Sequence, residues 1–149
     1  MNYRLYFAVP TFSLDESDGF PMTDNYDYWI TLMEYFFKGS DTIEIHSWYD
    51  EMQVIEEIIY LSNLTEKPTE HKLTRYKGNL NRKIVDHILR NNVSTNGRLK
   101  WFSIFLSKDG QSIFSSEHWG TEFLAHVVNK NDISFIKTVM PKDTHFHKQ

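Results

Sequence analysis

The chain has 149 residues, no cysteine and a formal net charge of −4, a length that suits a single domain over 1–149 burying about two-thirds of its unfolded surface. Absence of cysteine excludes a disulfide scaffold, a Cys-ligated zinc site and a thiol nucleophile. No stretch approaches the roughly 18 consecutive apolar residues of a membrane span, so a cytoplasmic protein is expected.

Residues 3–9 (YRLYFAV) are rich in β-formers and end at Pro10, which reads as a strand rather than a signal peptide. The following TFSLDESDGFPMT, with Gly, Pro and acids, predicts an exposed loop. Thr23 or Asp24 can cap a helix running to Lys38, in which Trp29, Ile30, Met33, Phe36 and Phe37 form one buried stripe and Gly39 ends it. TIEIHSW at 42–48 alternates as a strand does. From Asp50 a second helix is predicted, with Met52, Ile55, Ile58, Ile59 and Leu61 inward and Glu51, Glu56 and Glu57 outward.

After a break at Lys67-Pro68-Thr69, residues 71–78 predict a strand, and Asn79 is placed to cap a third helix with Leu80, Ile84, Ile88 and Leu89 inside. Asn96-Gly97 marks a turn, 98–106 a strand with apolar residues on both faces, and Lys108–Gln111 a hairpin turn into a returning strand at 112–116. TEFLAHVVN at 121–129 then predicts a short helix, DISFIKTVM at 132–140 fits a helix or a strand, with strand preferred, and residues 141–149 predict a flexible tail. The fold class expected is α+β, with helices packed on a mixed or antiparallel sheet and a β-hairpin at about 99–115.

Charge is divided unevenly. Residues 1–70 hold fourteen acids and three bases, whereas residues 71–149 hold thirteen bases and six acids. Acids in first helical turns answer the helix dipole, which accounts for Asp24, Asp27, Asp50 and Glu51. Asp15, Glu16 and Asp18 have no such role. Beside Phe20, Tyr26 and Tyr28 they suit docking against a basic protein, since opposite fields steer encounter and aromatic anchors supply burial. The leading expectation is therefore a non-enzymatic protein-binding domain of inhibitor or immunity type.

Two other classes are open. Glu117, His118, Glu122 and His126 form the densest ionisable cluster, and on a helix Glu122 and His126 would share one face at i, i+4, as suits a small hydrolase with or without a metal. The basic stretch 72–100, with Arg75, Arg82 and Lys83, could bind nucleic acid, although a pI near 5.9 lies far below that of such domains. No phosphate-loop, dinucleotide-binding or serine-hydrolase pattern occurs. No cofactor or metal is expected.

Overall fold

A computed structural model describes residues 2–12, 22–23, 25–61, 63–67, 69 and 72–149. Among these residues the chain forms β1 (Tyr3–Ala8), α1 (Asp27–Lys38), β2 (Thr42–Trp48), α2 (Met52–Tyr60), β3 (Thr65–Lys67) and β4 (Leu73–Asn79). Then follow α3 (Arg82–Arg90), β5 (Ser103–Lys108), β6 (Gln111–Glu117), β7 (Glu122–Val128), α4 (Lys130–Val139) and β8 (His145–Lys148). The strands make one antiparallel sheet in the order β3-β4-β2-β5-β6-β7-β1-β8. The architecture is α+β. No helix among the described residues is long and apolar enough to cross a membrane.

Strand alternation sorts the side chains onto two faces. Phe7, Ile43, Ile45, Ile104, Leu106, Phe114 and Phe123 are buried in one hydrophobic cluster that also takes in Trp29, Leu32 and Phe36 of α1, Ile58 of α2, Ile84 of α3 and Ile136 of α4. The Phe36 ring stacks on Phe114 at 4.0 Å, and the Trp29 indole donates to Ser116 Oγ at 2.9 Å. Tyr6, Glu44, His46, Arg75, Glu122 and His126 alternate onto the opposite face and are only half-buried.

Several elements differ from those predicted, each for an identifiable reason. Residues 121–129 carry a strand, β7, rather than a helix. Phe123 and Ala125 face the core while β6 and β1 take up the backbone on both sides; the apolar residues satisfy either period, and sheet pairing decides. Conversely, α4 occupies 130–139, where of helix and strand the strand was preferred. Asn129 and Asp132 form a reciprocal capping box, each side chain accepting from the other's backbone N–H at 2.9 Å. The segment 141–149, expected as a flexible tail, contains β8, which pairs with β1 through Leu5↔Lys148 and Phe7↔Phe146.

Smaller shifts occur at element ends. Asn81 rather than Asn79 caps α3. Helix α1 starts at Asp27 after Tyr26, beyond the predicted Thr23; Asp24 lies outside the described residues. On α2, Met52 and Ile59 are exposed instead of inward.

Candidate functional site

The Glu/His cluster lies where β6 passes to β7. Between Glu117 and Glu122 the chain turns through His118, Trp119 and Gly120, with φ of 50°, 55° and 76°. Left-handed backbone costs a residue with a Cβ about 1–2 kcal/mol, so the run needs external support. Trp119 N donates to the Phe102 carbonyl at 3.0 Å, and Thr121 N donates to that of Glu117 at 3.1 Å. The Tyr28 hydroxyl donates to the Gly120 carbonyl at 2.5 Å, and the Trp119 indole donates to Glu51 Oε2 at 3.1 Å. At Gly120 a Cβ would stand 2.6 Å from Leu99 Cδ2 and 3.0 Å from Trp29 Cδ1.

This turn sets Glu117 and Glu122 opposite one another across the β6–β7 pair. Glu122 accepts from the Tyr6 hydroxyl at 3.1 Å and meets His118 Nδ1, while Glu117 accepts from Ser115 Oγ at 2.9 Å. Burial raises the Tyr6 hydroxyl pKa, and its bond to Glu122 adds to the rise. His126 is not part of this group. On a helix it would have been about 5–6 Å from Glu122, whereas four residues along a strand separate them by about 13 Å. Desolvation holds the His126 pKa below its ordinary value; Arg4 reinforces the effect, and the Glu117 charge opposes it. Among the described residues no three His, Asp or Glu side chains are arranged to hold a metal ion. Glu122 and His126 thus stand apart along one face of β7 instead of side by side.

The predicted docking residues are also rearranged. Tyr26 and Tyr28 belong to the core, with their rings 6.2 Å apart, so neither can anchor a partner at the surface. Asp15, Glu16, Asp18 and Phe20 lie outside the described residues. In the basic band, Arg75 Nε lies 3.6 Å from Glu44, itself bonded to His46 at 2.6 Å. Arg82 is exposed and 3.9 Å from Asp86, while Lys83 Nζ lies over the Tyr60 ring at 4.9 Å. The structure does not merge these three bases into one surface with Arg98 and Lys100, which face inward toward α2.

That inward pairing is the decisive local geometry. Glu51, just before α2, turns its carboxylate into the molecule. Oε1 accepts from Trp48 N at 2.8 Å, and Oε2 takes the Trp119 indole with Arg98 Nη2 at 3.9 Å. Further along the helix, Glu57 Oε1 is 2.9 Å from Lys100 Nζ and 3.2 Å from His87 Nε2. Lys108 reaches Asp41 at 4.0 Å. Each of these pairs joins the acidic half of the chain to the basic half.

With Glu51 and Glu57 held inside, α2 presents Met52, Gln53, Glu56, Ile59 and Tyr60 outward at i, i+1, i+4, i+7 and i+8. Met52, Ile59 and Tyr60 are 61%, 58% and 70% exposed, and Tyr49 in the preceding turn is 52% exposed. Among the described residues neither Asp50 nor Glu56 makes an ion pair. Protein-family models, curated proteins and solved structures give no match to this chain. The chemistry of the surface must then speak for its use. A signal for this face existed in the sequence: apolar residues at 52, 54, 55, 58, 59, 60 and 61 are more than one buried helical stripe can hold.

Two predictions follow from these contacts. Gly120→Ala is expected to destabilise the protein by about 1–3 kcal/mol in urea unfolding, and an unchanged midpoint would refute the close approach to Leu99 and Trp29. For Glu51, burial raises the carboxyl pKa above the ordinary 4.5 despite the donors of Trp48 and Trp119 and the charge of Arg98. A carboxyl raised in the folded state favours folding when protonated, so its contribution is lost as pH climbs from the unfolded value through the folded one. Relative to Glu51→Gln, the wild type should lose stability as pH rises above the ordinary carboxylate value of 4.5; a difference that stays flat or grows with pH would contradict this.

Proposed function

We propose that this chain is a non-enzymatic protein-binding domain that engages a basic partner through the outer face of α2 and the turn before it. The observation that carries the reading is the exposed row of Tyr49, Met52, Ile59 and Tyr60, with Asp50 and Glu56 set among them. Burying one such side chain at an interface contributes about 1.5–3 kcal/mol, and aromatic anchors near the centre of a patch dominate binding energy. Asp50 and Glu56 supply the charge that selects a partner bearing Lys or Arg, while Lys72 over Tyr49 and Lys83 over Tyr60 stand at the rim. An aromatic surface with two carboxylates outside any ion pair among the described residues suits an inhibitor or immunity-type protein whose target is a nuclease or another nucleic-acid-binding protein, acting in the cytoplasm.

The internal pairing of Arg98 and Lys100 with α2 weighs against a nucleic-acid reading of the 72–100 band. The separation of Glu122 from His126 weighs against the hydrolase. Capture from the native host with the tagged chain is expected to retain one stoichiometric protein. Ile59→Arg and Tyr60→Ala should abolish that capture while changing folding stability by no more than about 0.5 kcal/mol. The reading fails if no stoichiometric partner is retained, or if both variants retain it as well as the wild type does.

A further inference from the structure

A second surface, remote in sequence from α2, is lined by three lysines. Helix α4 lies beside β1 and β8, and together they enclose a groove of about 380 Å³, within the usual range of small-molecule sites. Its floor is apolar, formed by Leu5, Ile133 and Phe146, and its rim carries Lys130, Lys137 and Lys148. The lining contains no carboxylate. The acid of α4's first turn, Asp132, is already engaged by the Asn129 cap and the Tyr35 hydroxyl, whose pKa that bond helps push up to about 12.

All three lysines are exposed, and two of them lie against aromatic rings. Lys137 Nζ lies 5.5 Å from the Phe146 ring centroid, and Lys148 Nζ lies 4.3 Å from that of Tyr3. Cation–π attraction and packing of the alkyl stems keep both amines at the edge of the apolar floor. Among the described residues none of the three lysines makes an ion pair. Three like charges around one trough favour an anion between them, and apart from the hydroxyls of Tyr3 and Ser134 the rest of the lining is apolar.

We propose that this groove binds a small amphipathic anion, with an alkyl or aryl body on Leu5, Ile133 and Phe146 and a carboxylate among Lys130, Lys137 and Lys148. Apolar burial supplies contact area, and the lysines supply the sign selection. The ligand is a free acid, not a bilayer. The surface is independent of the α2 face, so either can fail without the other.

Amide NMR of the intact chain titrated with decanoate, decanol and acetate tests this. Decanoate should give saturable shifts confined to residues near 130–137 and 145–148, with decanol and acetate at least about fivefold weaker. The double variant Lys137→Gln/Lys148→Gln should weaken decanoate by about fivefold or more and leave decanol unchanged. Absence of saturable shifts, equal binding of decanol, or an unaffected double variant would each overturn the proposal. So would binding to phosphatidylglycerol vesicles without binding of free decanoate, which would assign the groove to a membrane surface.

Discussion

The orientation of α2 rests on two carboxylates that point into the molecule. A helix with apolar side chains on two sides has two ways to lie on a core, and hydrophobic burial alone discriminates poorly between them. Glu51 and Glu57 decide the matter. In the observed rotation Glu51 meets Trp48 N, the Trp119 indole and Arg98, and Glu57 meets Lys100 and His87 through Oε1, while Glu57 Oε2 is buried without a hydrogen-bond partner. Taking such charges out of water is expensive, and an ion pair this deep is weak as a source of net stability. Its effect is selection. Val54, Ile55 and Ile58 go in, and Met52, Ile59 and Tyr60 stay out.

The same network reaches the sheet. Trp119 stands in the left-handed turn between β6 and β7, donates to Glu51, and has Arg98 over its ring at 4.8 Å. Phe102 packs edge-on against Trp119 at 4.7 Å and lies 5.0 Å from Trp48, at the end of β2. The turn that gathers Glu117, His118 and Glu122 is therefore also a strut under α2. Its strained backbone has a structural explanation in these contacts, without appeal to chemistry at the Glu–His pair.

Much of this was legible from residue patterns, and the remainder failed for physical reasons. The alternation of TIEIHSW marks β2, and the aromatic stripe of 29–37 marks α1, because each is long enough for its period to be unambiguous. Phe123, Leu124, Val127 and Val128 fit a helix and a strand equally well, and only the flanking strands choose. Reading β7 as a helix brought Glu122 and His126 together; the strand parts them. For α4, the Asn129–Asp132 box outweighed the β-branched Ile133, Ile136 and Val139. The division of charge between the halves was plain from the start, but its meaning was not. Glu44–Arg75, Glu51–Arg98, Glu57–Lys100 and Asp41–Lys108 show that the halves pair with each other. What the pairing leaves outside is an exposed row on α2 that includes Met52, Ile59 and Tyr60.

A double-mutant cycle on Glu57→Gln and Lys100→Gln tests the pairing most directly, because it isolates the interaction from the loss of either side chain. Unfolding free energies of the four proteins should reveal a coupling of about 1 kcal/mol or more between the two positions. Additivity to within about 0.3 kcal/mol would contradict the claim that inward-facing carboxylates set the orientation of α2.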